Sequence, residues 1–140
     1  AEPYFARRPP KSTGRDLFHA EWLAQRLRGH DLPVQDVQAT LTELTARTAS
    51  DALRAALPDA KQLLVCGGGA LNGHLMRRLA AQLPGLLVQS TAAAGLPPLQ
   101  VEAAAFAWLA RAFVQREAGN RPEVTGAAGT RVLGALYPAG

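Results

Sequence analysis

Apolar residues recur along this chain at helical spacing in several stretches and as short continuous runs in two others. Between Asp16 and Arg28, Leu17, Trp22, Leu23 and Leu27 fall near three- and four-residue intervals, which predicts a helix ended by Gly29. The longest periodic segment is 34–57. There Val37, Leu41, Leu44, Thr48, Ala52 and Ala55 share one stripe, and Asp36, Glu43, Arg47 and Arg54 are expected to point elsewhere. Pro58 stops this helix.

The period changes after residue 61. Gln62-Leu63-Leu64-Val65-Cys66 is nearly continuous and apolar, and Gly67-Gly68-Gly69-Ala70 follows at once. Leu71 to Leu83 returns to helical spacing through Leu75, Met76, Leu79 and Leu83. A Pro84-Gly85 turn then leads into a second short run, Leu86-Leu87-Val88. Strand, glycine turn, helix, strand is the alternation of an α/β protein, and unbroken apolar runs predict strands covered on both faces. Ala92 to Pro98 reads as a loop, Val101 to Arg116 as an alanine-rich helix, and Arg131 to Tyr137 as a last strand. Residues 1–14, with Pro3, Pro9, Pro10 and Gly14, read as an extended arm. With no internal repeat and no low-complexity linker, one domain over 1–140 is expected.

Composition sharpens this picture in three places. A chain of 140 residues is long enough to bury roughly 68–70% of its unfolded surface, and a 48% hydrophobic fraction is ordinary for a folded domain. A single cysteine, Cys66, excludes an internal disulfide framework and a four-cysteine zinc site. The net charge of +4 comes from 13 Arg and 2 Lys among dispersed acids, in a chain with 28 Ala. Such Arg and Ala enrichment is what GC-rich coding produces, and no aromatic residues interleave with the cations, so nucleic acid is not an expected partner. The charge-free run Ala103–Ala110 has eight residues against the ~20 of a bilayer span, so no membrane partner is expected either. An opening on Ala-Glu-Pro-Tyr-Phe without Met raises the expectation of a piece of a longer chain.

Three consecutive glycines after an apolar strand are the most informative local feature. Glycine accepts positive φ and lets backbone approach a ligand closely, and the following helix start offers N–H groups to an anion or a polar ring. The usual fingerprints fail. Gly68 to Gly73 has the P-loop spacing, but His74 and Leu75 stand where Lys and Ser/Thr belong. In a dinucleotide fingerprint begun at Gly67, the last glycine is replaced by Asn72. A ligand role and a bare strand-to-helix turn both remain open on these residues alone. His19, His30 and His74 are scattered and form no metal set. Cys66 is expected to be buried and inert. Lys11-Ser12-Thr13-Gly14 suits either an anion or a helix cap. Glu102 suits either the dipole of the helix it begins or a carboxylate aimed into a cleft.

Several blocks together resemble the anhydro-N-acetylmuramic acid kinases of bacterial peptidoglycan recycling. They run in order from Pro3-Tyr4-Phe5-Ala6-Arg7-Arg8-Pro9-Pro10-Lys11-Ser12-Thr13-Gly14-Arg15 through Asp36-Val37-Gln38-Ala39-Thr40-Leu41 and Leu64-Val65-Cys66-Gly67-Gly68-Gly69-Ala70. They continue with Leu75-Met76-Arg77-Arg78-Leu79, Gly95-Leu96-Pro97-Pro98, Val101-Glu102-Ala103 and Phe106-Ala107-Trp108-Leu109-Ala110. The last are Val124-Thr125-Gly126-Ala127 and Val132-Leu133-Gly134-Ala135-Leu136-Tyr137-Pro138. The resemblance implies an α/β, helix-rich C-terminal lobe of the actin-like, ribonuclease H-like ATPase fold, in a cytoplasmic and dimeric enzyme. Such enzymes use ATP and water to open the anhydro bridge of 1,6-anhydro-N-acetylmuramic acid and phosphorylate O6. By the same resemblance, Gly67, Gly68, Gly69, Ala70 and Asn72 bind the nucleotide, while Glu102, Lys11 and Ser12 bind the sugar. The family's Gly-Thr-Ser-x-Asp-Gly phosphate segment and its general-base aspartate lie in an N-terminal lobe with no counterpart here. No catalytic residue and no metal ligand is therefore assigned, and Mg2+ is expected to be held mainly by that other lobe. Two departures fall near Glu102: Ala92-Ala93-Ala94 replaces acidic residues, and Leu99-Gln100 replaces an Asp-containing pair. The alternative is a non-catalytic dimerising or regulatory module derived from the same lobe.

Overall fold

The computed structural model describes residues 2–138. They divide into two compact units, Leu32–Ala103 and a second formed by Ala1–Asp31 with Ala104–Gly140.

The first unit carries the α/β alternation. Helix α2 runs Val34–Ala56, strand β1 Gln62–Val65, helix α3 Gly73–Gln82 and strand β2 Leu87–Ser90. The strands pair in parallel, with Gln62 opposite Leu87 and Val65 opposite Ser90. Helix α3 is the crossover between them and packs along α2. The core of this unit is the α2–α3 seam, where Ala46, Ser50, Leu79 and Leu83 are buried. Ala46, Ser50 and the half-buried Leu53 follow the three- and four-residue helical interval, so the seam is real. The expected stripe is half-buried at Val37, Leu41, Leu44 and Thr48, and its register shifts toward the C-terminal end. Ala52 and Ala55 are exposed, whereas Glu43, assigned to the outer face, turns in toward α3. Small Ala46 and Ser50 let the helices approach closely, and the polar Glu43 follows because a partner cation waits opposite.

The strands also depart from expectation. Only one face is covered: Leu63, Val65 and Val88 are half-buried, while Leu64 and Leu87 on the other are exposed at 37% and 53%. Side chains in a strand alternate, so one covering layer can shield only every second residue. Cys66 lies one step beyond Leu64 on this alternation and is exposed, contrary to the buried position expected of it.

In the second unit, helix α1 is Ala20–Leu27 and starts four residues later than the sequence pattern suggests. The Asp16 carboxylate accepts the Gly14 N–H at 2.8 Å and makes a turn of that stretch. The His19 ring then accepts the Trp22 N–H at 3.3 Å and caps the helix. The arm is not wholly extended: Pro3–Ala6 forms a 3-10 turn. Tyr4, Phe5, Phe18 and Trp22 assemble into an aromatic cluster with ring centroids 5.1–5.9 Å apart. Glu2 closes the arm onto α1, accepting from the Trp22 indole and from Arg26, both at 2.9 Å.

Helix α4 spans Val101–Val114, and a short helix α5, Pro122–Thr125, follows. Its Pro122-Glu123 opening is a helix-start signal. The strand expected over Arg131–Tyr137 does not form. The Arg131 N–H and C=O are engaged by Asn120 and Gly119, and Gly134 at φ +116° leaves the extended region against the Phe113 ring. No described helix is long and apolar enough to cross a membrane.

Candidate functional site: the glycine turn

Strand β1 delivers the chain to Gly67, whose φ of +71° and ψ of −170° lie in a region essentially reserved for glycine. The Gly67 N–H donates to the Pro98 carbonyl at 2.8 Å. This bond ties the glycine turn to the 3-10 turn Pro98–Gln100 that leads directly into α4. Gly68–Leu71 winds into a 3-10 turn of its own. The Ala70 N–H returns to the Gly67 carbonyl at 3.1 Å, and the Asn72 N–H to the Gly69 carbonyl at 3.1 Å. The N–H groups of Gly68 and Gly69 meet no acceptor among the described residues. A Cβ built on Gly67 or Gly68 would meet no atom within 4 Å, so open space lies over both. At Gly68 neither backbone strain nor crowding requires a glycine.

Asn72 joins the turn to α3. Its side-chain oxygen accepts the His74 and Leu75 N–H groups at 3.0 and 3.1 Å. The oxygen is therefore committed to capping, and the amide nitrogen is the part left for a ligand. Beside it lies a shallow hollow of about 160 Å³ lined by Leu41, Thr42, Thr45, Asn72 and Leu75. Leu41, Thr42 and Thr45 carry no site signal in the sequence. Both hydroxyls donate to their own helix, to the Gln38 and Leu41 carbonyls, so oxygen lone pairs remain for a donor. Only the pairing of α2 with α3 brings residues 41–45 to Asn72, and no local motif announces it.

Glu102 occupies the first turn of α4, exposed, with no ion-pair partner among the described residues. Lys11 and Ser12 lie in the other unit. The Lys11 ammonium donates to the Tyr4 and Phe5 carbonyls at 3.4 and 3.2 Å and sits 5.0 Å over the Tyr4 ring. Ser12 is exposed. Among the described residues no group of three His, Cys, Asp or Glu side chains is placed to hold a metal ion.

A parallel α/β unit whose first strand ends in a glycine turn, opening a capped helix, is the class that fold and site define. The profile of the anhydro-N-acetylmuramic acid kinase family matches residues 1–139. The anhydro-N-acetylmuramic acid kinase of Variovorax paradoxus is 62% identical over 141 residues, and that of Ralstonia nicotianae 59% over 141. The Pseudomonas paraeruginosa protein of the same name is 58% identical over 140. Each alignment covers 99% of this chain and 37–38% of the relative. The chain belongs to the anhydro-N-acetylmuramic acid kinase family, and it spans under two-fifths of the length of these curated relatives.

Proposed function

We propose that this chain is the nucleotide-binding lobe of an anhydro-N-acetylmuramic acid kinase, an α/β lobe of the actin-like, ribonuclease H-like ATPase type. The observation that carries the reading is the Gly67–Gly69 turn, with open space above it and two N–H groups unengaged, in a chain of this family. ATP lies with its adenosine against the backbone of Gly67, Gly68, Gly69 and Ala70. Gly68 and Gly69 donate to it, and the Asn72 amide nitrogen contacts the base or ribose. Glu102, presented by the turn that Gly67 anchors, accepts from the sugar hydroxyls. Ser12 and Lys11 serve the sugar side, Lys11 by holding the arm through the Tyr4 and Phe5 carbonyls.

The balanced reaction takes ATP, water and 1,6-anhydro-N-acetylmuramic acid to ADP and N-acetylmuramic acid 6-phosphate. By the same proposal the enzyme acts in cytoplasmic peptidoglycan recycling as a homodimer. The general base and the phosphate-binding segment are supplied from outside this chain. Magnesium would be held by groups outside this chain and would neutralise charge on the transferred phosphoryl group. Two measurements test the reading. A non-hydrolysable ATP analogue should bind the chain saturably, and the chain alone should not phosphorylate the anhydro sugar. A folded chain that ignores the analogue, or that turns over the sugar unaided, refutes it.

A further inference from the structure

We infer that Glu43 is a positioning residue for the nucleotide, acting through Arg78 on helix α3 and so on the glycine turn at the head of that helix. The inference rests on the nucleotide reading of the turn. Glu43 Oε2 accepts from Arg78 Nε at 2.6 Å. Its Oε1 accepts from Arg78 Nη2 at 3.3 Å, from Gln82 Nε2 at 2.7 Å and from Arg47 Nε at 2.9 Å. One carboxylate on α2 thus collects two residues of α3 that lie four apart on the same face. The Arg78 contact is the two-pronged kind that fixes direction as well as distance. Beside this polar anchor the α2–α3 seam buries Ala46, Leu79 and Leu83, together with Ser50, whose hydroxyl meets no hydrogen-bond partner among the described residues. Apolar contacts alone are non-directional, so they leave α3 free to roll or slide by fractions of an ångström.

The consequence falls on the turn because α3 is short and rigid. Asn72 caps its first turn and is continuous with Gly67–Leu71, and it lies six residues, ~9 Å along the helix axis, from Arg78. A roll of α3 at Arg78 moves Asn72 and the glycine N–H groups with it. A second tie, from Arg54 to the Gln82 carbonyl, holds the last turn of α3, four residues further from Asn72 than Arg78. At a reacting constellation a misplacement of about 1 Å costs on the order of a hundredfold in rate, and a bound ligand is less sensitive. A partial loss of the anchor is therefore expected to cost about tenfold in nucleotide affinity.

The test uses the full chain with Glu43→Gln, Arg78→Lys and Arg54→Met. Two readouts are taken: the Kd of a non-hydrolysable ATP analogue, and hydrogen exchange at the His74 and Leu75 amides without nucleotide. Glu43→Gln and Arg78→Lys should weaken the Kd about tenfold and speed exchange at those two amides. Arg54→Met should lower the melting temperature while leaving the Kd within about twofold of the parent. The inference is overturned if Arg54→Met weakens the Kd as much as Glu43→Gln, or if Glu43→Gln leaves both readouts unchanged. A parent chain that binds no nucleotide while Glu43→Gln still speeds exchange sinks the nucleotide reading but upholds the anchor.

Discussion

Gly67→Ala and Gly68→Ala form a matched pair in which only one member meets backbone strain. Gly67 sits at φ +71°, ψ −170°, a conformation an alanine adopts at a cost of about 1–3 kcal/mol. The new Cβ would touch nothing within 4 Å at either position, so crowding contributes to neither. Both substitutions gain the same few tenths to ~1 kcal/mol by stiffening the unfolded chain, and that gain cancels in the comparison. The difference between them is therefore the strain alone. With a urea slope of about 1–3 kcal/mol per molar, the midpoint of Gly67→Ala should lie roughly 1 M below that of Gly68→Ala. Urea titration by circular dichroism reads it directly. Nucleotide titration separates the pair in the other sense: Gly68→Ala should fold at least as well as the parent, yet bind an ATP analogue more weakly, because its methyl group projects into the space above the turn. Equal midpoints would refute the strain argument. Unchanged affinity in Gly68→Ala would refute the assignment of that space.

Three further outcomes follow from the same structure. Asn72→Ala removes the acceptor of two helix-start N–H groups and should cost about 1 kcal/mol by urea titration, most of it recovered by Asn72→Asp. Leu79→Ala empties a site only 4% exposed in the α2–α3 seam and should cost about 2–5 kcal/mol, with a midpoint near the parent's counting against the seam as the core. Hydrogen bonds from Arg78 first, then from Arg47, hold the Glu43 carboxyl down to about 2 from its ordinary 4.5. A lowered native pKa contributes stability above the unfolded value, lost as pH falls through the folded one. Melting temperature should therefore drop between about pH 4.5 and pH 2, and that part of the drop should vanish in Glu43→Gln.

Much of the candidate site was legible along the chain. The three glycines, the apolar run before them and the helix after them are local patterns, and the strand, turn and helix formed where those patterns stand. Asn72 entered only through the resemblance, as a nucleotide contact, and its oxygen belongs to the cap of α3. Glu43 was not legible. On α2 alone it is one charge among several on a long amphipathic helix, and only Arg78 and Gln82, 35 and 39 residues on, give it a role. The hollow beside Asn72 was hidden for the same reason, since Leu41, Thr42 and Thr45 reach it only through the packing of α2 on α3.

The errors share one cause. Apolar runs at 62–66 and 86–88 were read as strands covered on both faces, and Leu64 and Leu87 stand exposed. Composition reports that a residue can be buried, but a second covering layer has to exist before it is. The run Arg131–Tyr137 has strand-like composition, yet loop partners at Asn120 and Gly119 take the backbone groups that a ladder needs. By itself the sequence determined the family, the order of the main helices and strands, and the backbone freedom at Gly67, because these depend on nearest neighbours and on residue type. The tertiary structure alone decided which carboxylate holds α3, which hydroxyls stand beside Asn72, and how the Pro98 carbonyl pins the glycine turn ahead of Glu102. Each of those joins residues distant in the chain, and no local pattern encodes which distant partner a side chain will meet.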